Sequence, residues 1–417
     1  MLLALLCAAC GGEAQHGPHA DGNPKPAETG GSGETTTHPQ PTHSGAGDAG
    51  APLDEGGAGL GDGGSFESGG ANTGGQSAGG VDASGTGGAD ANAGAAGQPS
   101  GNDCDPITFE DPELERTVRA LVQKPTGSLS AADVAALTDL TTESITSLKG
   151  VECLTALTSL DFGSLPPSHV TDLSPLAALN QLETLSLSRN PVTDLEPLGQ
   201  LPKLQTLYMF KMPEPLDLAP LASAHALTFL NLDGDTVESL APLGSVTTLR
   251  QLSLRNGVLV KPSSASALFE VEDLDLTAVL TDVTPLAGLS KLKKLRVGHS
   301  PLTHFSSVVG LIKLQYLDVP QAGLTDISAL GNLTQLQGLN AASNQISDVT
   351  PLGELPELNT VVLVGNQITD IAALAGNAGI GQGDSVLLEQ NPLLCASAAT
   401  HLQAMKDRGA AVSSDCP

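Results

Sequence analysis

From about residue 150 onward the hydrophobic positions alternate by two and then pause. The triplet L-x-L recurs within L-x-x-L-x-L. Aligning the first Leu or Val of each copy gives Leu154, Leu182, Leu204, Leu227, Leu249, Val271, Leu292, Leu314, Leu336 and Leu358. The steps are 28, 22, 23, 22, 22, 21, 22, 22 and 22 residues. Alternation by two predicts a short strand with its Leu residues on one face. Each copy then runs through Asn or a substitute, an aliphatic, Thr or Ser with Asp, another aliphatic and often Pro-Leu. The clearest copies are LETLSLSRNPVTDLEPLGQL (182–201) and LQGLNAASNQISDVTPLGEL (336–355). Thr-Asp at 193–194, 281–282, 325–326 and 369–370 predicts a capped start of a short helical return, with Pro pre-set just inside it. Strand and return carry one apolar flank each. A single unit cannot bury enough surface to offset the ordering of its own backbone, so the units are expected to stack around a shared core.

A fixed period near 22 residues marks a leucine-rich repeat solenoid. The unit with T-D-[LIV]-x-P-L resembles the internalin type of that repeat. The resemblance implies an α/β solenoid: a leucine-rich repeat horseshoe with short parallel strands on its concave face, a helical N-terminal cap and a C-terminal cap. The flanks match. Asp111-Pro112 starts a helix with Leu114, Val118, Leu121 and Val122 on one face. Ser130 and Asp133 form a capping box for a second helix carrying Val134 and Leu137. Ile145, Leu148 and Val151 then enter repeat register. At the other end NPLLC…AMKDRGAAVSSDCP resembles a C-terminal cap. The expected divisions are a signal and anchor (1–10), a disordered linker (11–103), the N-terminal cap (104–153), repeats (154–379), and a last partial repeat with the C-terminal cap (380–417).

The chain departs from the repeat pattern in places. The Asn position is Asn at 190, 344, 366 and 391, but Leu165, Met212, Asp235, Gly257, Val279, Ser300 and Ala322 elsewhere. A ladder of Asn side chains is therefore expected to break through the middle repeats. The first repeat also carries an insertion near Gly163–Ser168.

Composition separates the chain into two parts. The 417 residues include 48 Gly, yet 40% are hydrophobic. Residues 11–103 hold 28 of those Gly, one aromatic (Phe66) and 12 acids against Lys25 alone, a net charge of -11. Such a segment cannot bury enough apolar surface to fold and reads as a disordered tether. Its G-x-G-x-x-G at 59–64 lies between no predicted strand and helix, and its four His residues sit in a polar tail, so both read as composition. Residues 104–417 hold 34 acids and 17 basic residues. A total of -28 excludes a dedicated nucleic-acid binder, which needs a basic face.

Met1–Ala9 reads MLLALLCAA, and CGGE follows. An apolar run before small residues and a Cys resembles the end of a bacterial lipoprotein signal. The resemblance implies cleavage after Ala9 and acylation of Cys10, hence a membrane anchor and an extracytoplasmic, cell-envelope location. An ordinary secretory signal is the alternative. Cys104, Cys153, Cys395 and Cys416 then remain, two in each flank. We expect the disulfides Cys104–Cys153 and Cys395–Cys416. Zinc is the alternative, but no C-x-x-C lies in the folded part. Disulfides imply an oxidising compartment.

No catalytic set stands out, neither metal nor cofactor is expected, and the chain does not read as an enzyme. His169, His225, His299, His304 and His401 are not spaced with acids or Cys as a site requires. The variable strand positions, which flank each core Leu, are the informative ones. They place Tyr208, Phe210, Phe229, Arg255, Asp275, Arg296 and Tyr316 on the concave face, and aromatics with Arg on a rigid sheet suit a binding surface. The acids at 161, 233, 273, 275 and 318 read as a solvated face rather than a calcium site. The expected partner is a protein or a surface glycan. A structural envelope protein that self-associates is the alternative.

Overall fold

The computed structural model describes residues 104–163, 167–213 and 215–417. All lie within one unit, Ala89–Pro417. The expected anchor at Cys10, the linker, Leu165 and part of the first-repeat insertion lie outside the described residues.

Each L-x-L forms one three-residue strand. In chain order the strands are β1 (Asp139–Thr141), β2 (Ser159–Asp161), β3 (Thr184–Ser186), β4 (Thr206–Tyr208), β5 (Phe229–Asn231), β6 (Thr236–Val237) and β7 (Gln251–Ser253). They continue as β8 (Val258–Leu259), β9 (Asp273–Asp275), β10 (Lys294–Arg296), β11 (Tyr316–Asp318), β12 (Gly338–Asn340), β13 (Thr360–Val362), β14 (Ser385–Leu387) and β15 (Ala411–Ser413). All except β6 and β8 form one open parallel sheet of thirteen strands, in chain order. The central Leu of one strand lies opposite that of the next, as in Leu185 with Leu207 and Leu207 with Leu230. The flanking residues therefore stand in continuous rows on the other face. The sheet begins at β1, ahead of Ile145.

The returns are mostly single 3-10 turns. Before them Asp172, Asp194, Asp217, Asp282, Asp326, Asp348 and Asp370 each accept the backbone N–H two residues on, at 2.8–2.9 Å. The Asp thus closes a turn from two residues before the helical segment, one residue ahead of the expected cap position. Pro is often the second residue of the segment, as at Pro175, Pro197 and Pro220. Within one repeat Leu182, Leu185, Leu187, Val192, Leu195 and Leu198 are completely buried.

The Asn residues join repeats through their turns. The Asn366 carboxamide accepts from Ile346 N–H of the preceding repeat at 3.0 Å. It donates to the carbonyls of Ala341 and Leu363, each at 2.9 Å. Asn190, Asn344 and Asn391 do the same. Through the middle, other devices replace the ladder. Asp235 accepts Met212 N–H at 2.7 Å. β6 pairs with β8 in a second, two-stranded parallel sheet, joined by a bridge from Leu216 to Val237. Gly257 stands at the ladder position because a Cβ there would lie 2.5 Å from the Asp235 carbonyl oxygen. The expected break is therefore a change of partner, from a side-chain amide to an Asp carboxylate or to backbone.

Both ends are tied down. Helix α1 (Pro112–Leu121) is capped by Asp111, whose Oδ1 accepts from Glu113 and Leu114 N–H. Its Oδ2 accepts from Thr146 N–H and Oγ1, which fastens the helix to the first repeat. Burial raises the Asp111 pKa, but these hydrogen bonds outweigh it and hold the carboxyl below its ordinary value. Leu114 and Val118 are buried, whereas Leu121 is 49% exposed, so the expected apolar face stops one turn short of the helix end. In α2 (Ala131–Val134) Asp133 accepts from the Ser130 N–H and hydroxyl and from Lys124. The Lys124 ammonium, then the Ser130 donors, bring Asp133 down to about 2. The expected disulfides are both present, Cys104–Cys153 and Cys395–Cys416, the latter fixing the start of the last helix, Cys395–Asp407.

Two outcomes follow for stability. Asn366→Ala leaves the buried Ile346 N–H unpaired and removes one of two side-chain donors from the Ala341 and Leu363 carbonyls, and is expected to cost about 1–3 kcal/mol. Exposed Gln367→Ala should stay within about 0.5 kcal/mol of wild type. Urea unfolding measures both, and equal effects would reject the ladder as a source of stability. The closed loops of 49 and 21 residues predict losses of about 4 and about 3 kcal/mol for Cys104→Ser/Cys153→Ser and Cys395→Ser/Cys416→Ser. Alkylation of denatured, unreduced protein should leave all four unmodified.

Candidate functional site

The concave face consists of the side chains that flank each central Leu, together with the turn that follows each strand. Three regions differ along it. At β4 and β5, Tyr208 and Phe229 are diagonal neighbours with ring centroids 5.2 Å apart and planes tilted by 51°. Both are half-buried. Phe210 lies in the turn after β4, and the Arg189 guanidinium sits 4.7 Å from its ring centroid. Phe210 is also held through its N–H, which donates to Ser188 Oγ.

From β7 to β10 the face and the segments leading into its strands carry a lattice of ion pairs. One repeat presents only acids here: Glu270, Glu272, Asp273 and Asp275. Arg250 and Arg255 precede it; Lys291, Lys293, Lys294 and Arg296 follow it. Lys291 meets Glu270 at 2.5 Å, Lys293 meets Glu272 at 2.6 Å and Arg296 meets Asp273 at 2.8 Å. Arg255 lies 3.6 Å and Arg296 4.0 Å from Asp275. The Lys291 and Lys293 ammonium groups hold Glu270 and Glu272 below the ordinary carboxylate range. Each exposed pair adds little stability, roughly 0–1 kcal/mol. Together they give every carboxylate of the acidic repeat a cationic partner from an adjacent repeat.

Asp275 is 7% exposed and accepts from Thr277 N–H and Oγ1, so it presents no free carboxylate on the face. Arg255 and Arg296 are turned toward carboxylates of their own chain. Their charge was legible in the sequence; their partners, a whole repeat away, were not. Beyond the lattice, Tyr316 is 37% exposed and carries Lys294 Nζ 5.8 Å from its ring centroid. Its ring lies across Gly338 of the next strand, where a Cβ would stand 2.7 Å from Tyr316 Cδ1. Tyr316 is separated from the Tyr208 group by the lattice. The seven residues chosen from sequence thus share one face but form no single cluster.

Asp318 occupies the same row as Arg296 and Asn340. Burial pushes its pKa up, and neither the Asn340 hydrogen bond at 2.7 Å nor nearby Arg296 fully reverses that. His299 and His304 lie on turns, with left-handed backbones; His304 is 3.4 Å from Asp282. Among the described residues no group of His, Cys, Asp and Glu could hold a metal ion.

Two residues that sequence reasoning passed over stand beside the aromatic group. Arg189 and Lys211 occupy the left-handed turn position of successive repeats, at φ 63° and 58°. Each immediately precedes the ladder position, a recurrence visible in the repeat alignment once turns are aligned as well as strands.

A family model described as leucine rich repeats (2 copies) matches residues 180–223 and 334–376. Comparison with curated protein sequences finds no match. Among solved structures, an internalin (InlF) of Listeria monocytogenes is 27% identical, over 74% of this chain and 97% of that one, with a TM-score of 0.59. An internalin C2 of the same organism is 25% identical over 63% of this chain and 96% of that one, TM-score 0.40. A plant peptide hormone receptor, RGFR1, solved in complex with RGF2, is 21% identical over 60% of this chain and 44% of that one, TM-score 0.47. The repeats are leucine-rich repeats similar to those of internalins, and the fold is a protein-interaction fold. Among the described residues no helix is long and apolar enough to cross a membrane.

The raised Asp318 pKa has a consequence for stability. The folded chain keeps a proton that the unfolded chain releases, so stability falls as pH rises from the ordinary carboxylate value through the raised one. Asp318→Asn is expected to raise the urea midpoint at pH 7 and leave it unchanged at pH 3. A midpoint lowered at pH 7 would show that Arg296 outweighs burial.

Proposed function

We propose that this leucine-rich repeat protein, with repeats of the internalin type, is an extracytoplasmic binding protein. It recognises another protein on the N-terminal half of its concave face and is held at the cell envelope by a lipid on Cys10. The observation that carries the reading is the aromatic group: Tyr208 and Phe229 in contact on adjacent strands, with Phe210 beside them. Aromatic rings left partly open on a rigid sheet lose little conformational freedom on binding, and such residues dominate binding energy at protein interfaces. The ion-pair lattice supports a footprint that stops near β7, because contact there would have to displace internal partners. The two disulfides suit an oxidising compartment, in keeping with the resemblance of residues 1–10 to a lipoprotein signal.

The test is a crosslinking pull-down from surface extracts with the full chain. Tyr208→Ala/Phe229→Ala is expected to lower capture of the bound protein at least about tenfold, as for a pair of hot-spot residues. Thr360→Ala/Val362→Ala on β13 should leave it unchanged. Equal capture by both variants would place the site elsewhere. Self-association that grows with protein concentration and replaces capture would favour a structural role.

A further inference from the structure

The cations of the concave face fall into two groups. Arg255, Lys294 and Arg296 each have a carboxylate within 4.0 Å. Arg189 and Lys211 do not: among the described residues neither is paired with an acid. In a chain with net charge -28, two neighbouring cations left unpaired stand out from the rest.

Their placement is fixed by the repeat. Arg189 N–H donates to the Phe210 carbonyl at 3.0 Å, so the two turns lie side by side. The Arg189 side chain leans over the Phe210 ring in the next repeat. The Lys211 side chain leans the same way, its Cγ 3.7 Å from where a Cβ on Gly234 would stand. Two positive groups therefore border the turn that carries Phe210, two residues beyond Tyr208. Asp233, which stands one repeat after Phe210 in the same row, is occupied by its own donors. It accepts from Ser253 Oγ at 2.6 Å, Arg255 N–H at 2.8 Å and Asn231 Nδ2 at 3.2 Å. At physiological salt, charges more than about 8 Å away are largely screened, so the local pair outweighs the acidic total.

We propose that the partner contacts this face through an acidic segment, whose carboxylates meet Arg189 and Lys211 while an apolar or aromatic side chain packs on Tyr208 and Phe229. The proposal rests on the concave-face reading above and adds the partner's charge. Arg189 is suited to the task. Its planar fork can take a carboxylate in two hydrogen bonds while its face stays on the Phe210 ring. The cations of the lattice at β7–β10 are less open to an acidic segment, because each already has a carboxylate of its own chain within 4.0 Å.

The experiment uses the full chain and three labelled peptides of one length. Each carries a central Phe-Tyr pair flanked by Asp and Glu, by Gln, or by Lys. The acidic peptide is expected to bind tightest and the Lys peptide weakest, with the difference shrinking as salt rises. Arg189→Gln/Lys211→Gln should weaken the acidic peptide at least about tenfold, since it removes both charge-assisted contacts, and leave the Gln peptide unchanged. Three outcomes overturn the proposal: the Lys peptide binds best, the double variant leaves acidic binding intact, or no peptide binds. If all three bind alike and all are lost in Tyr208→Ala/Phe229→Ala, the concave-face reading survives and the acidic partner falls. If acidic binding needs the cations but not the rings, the aromatic reading falls alone.

Discussion

No repeat in this protein can satisfy its own backbone. A three-residue strand has two open edges, and the turn after it points N–H and C=O groups toward the neighbouring repeat. The next repeat supplies the missing partners, through the strand pairing and, in the turns, through a buried Asn such as Asn190, Asn344 or Asn366. Buried backbone groups left unpaired are costly, so the stack is held in register by hydrogen bonding as well as by Leu packing. Where the Asn is absent, the same demand is met by Asp235 or by the added pairing of β6 with β8.

That strict register creates the functional surface. Because each strand meets the next residue for residue, side chains one repeat apart stand beside each other whatever their chemistry. Tyr208 and Phe229 touch for this reason, and so do the acidic repeat at 270–275 and the basic repeat after it. The face is thereby divided. One part carries partly open rings and unpaired cations; the next is saturated with its own ion pairs. The lattice also lies where the Asn ladder is missing, so the central repeats are joined by exposed charges on one side and backbone pairing on the other.

Most of the fold was legible in the sequence. The alternation by two located the strands, the Asp before each return closed a turn, and the cysteines paired as their placement in the two flanks suggested. The local rule failed in detail at Leu121, because helix periodicity does not say where a neighbouring surface ends. It also could not foresee how the broken ladder is replaced, since backbone groups pair irrespective of side chain. The candidate site was legible only as a set of positions. Arg255, Asp275 and Arg296 were correctly placed on one face, but as isolated charges.

The sequence by itself determined the repeat, its period, its inward Leu residues and the side chains facing outward, because these depend on local periodicity and on burial shared by every unit. Only the tertiary structure decided which outward groups are free. That depends on contacts between residues about 22 positions apart, where a carboxylate in one repeat either reaches a cation in the next, as Asp273 reaches Arg296, or leaves it open, as at Arg189 and Lys211.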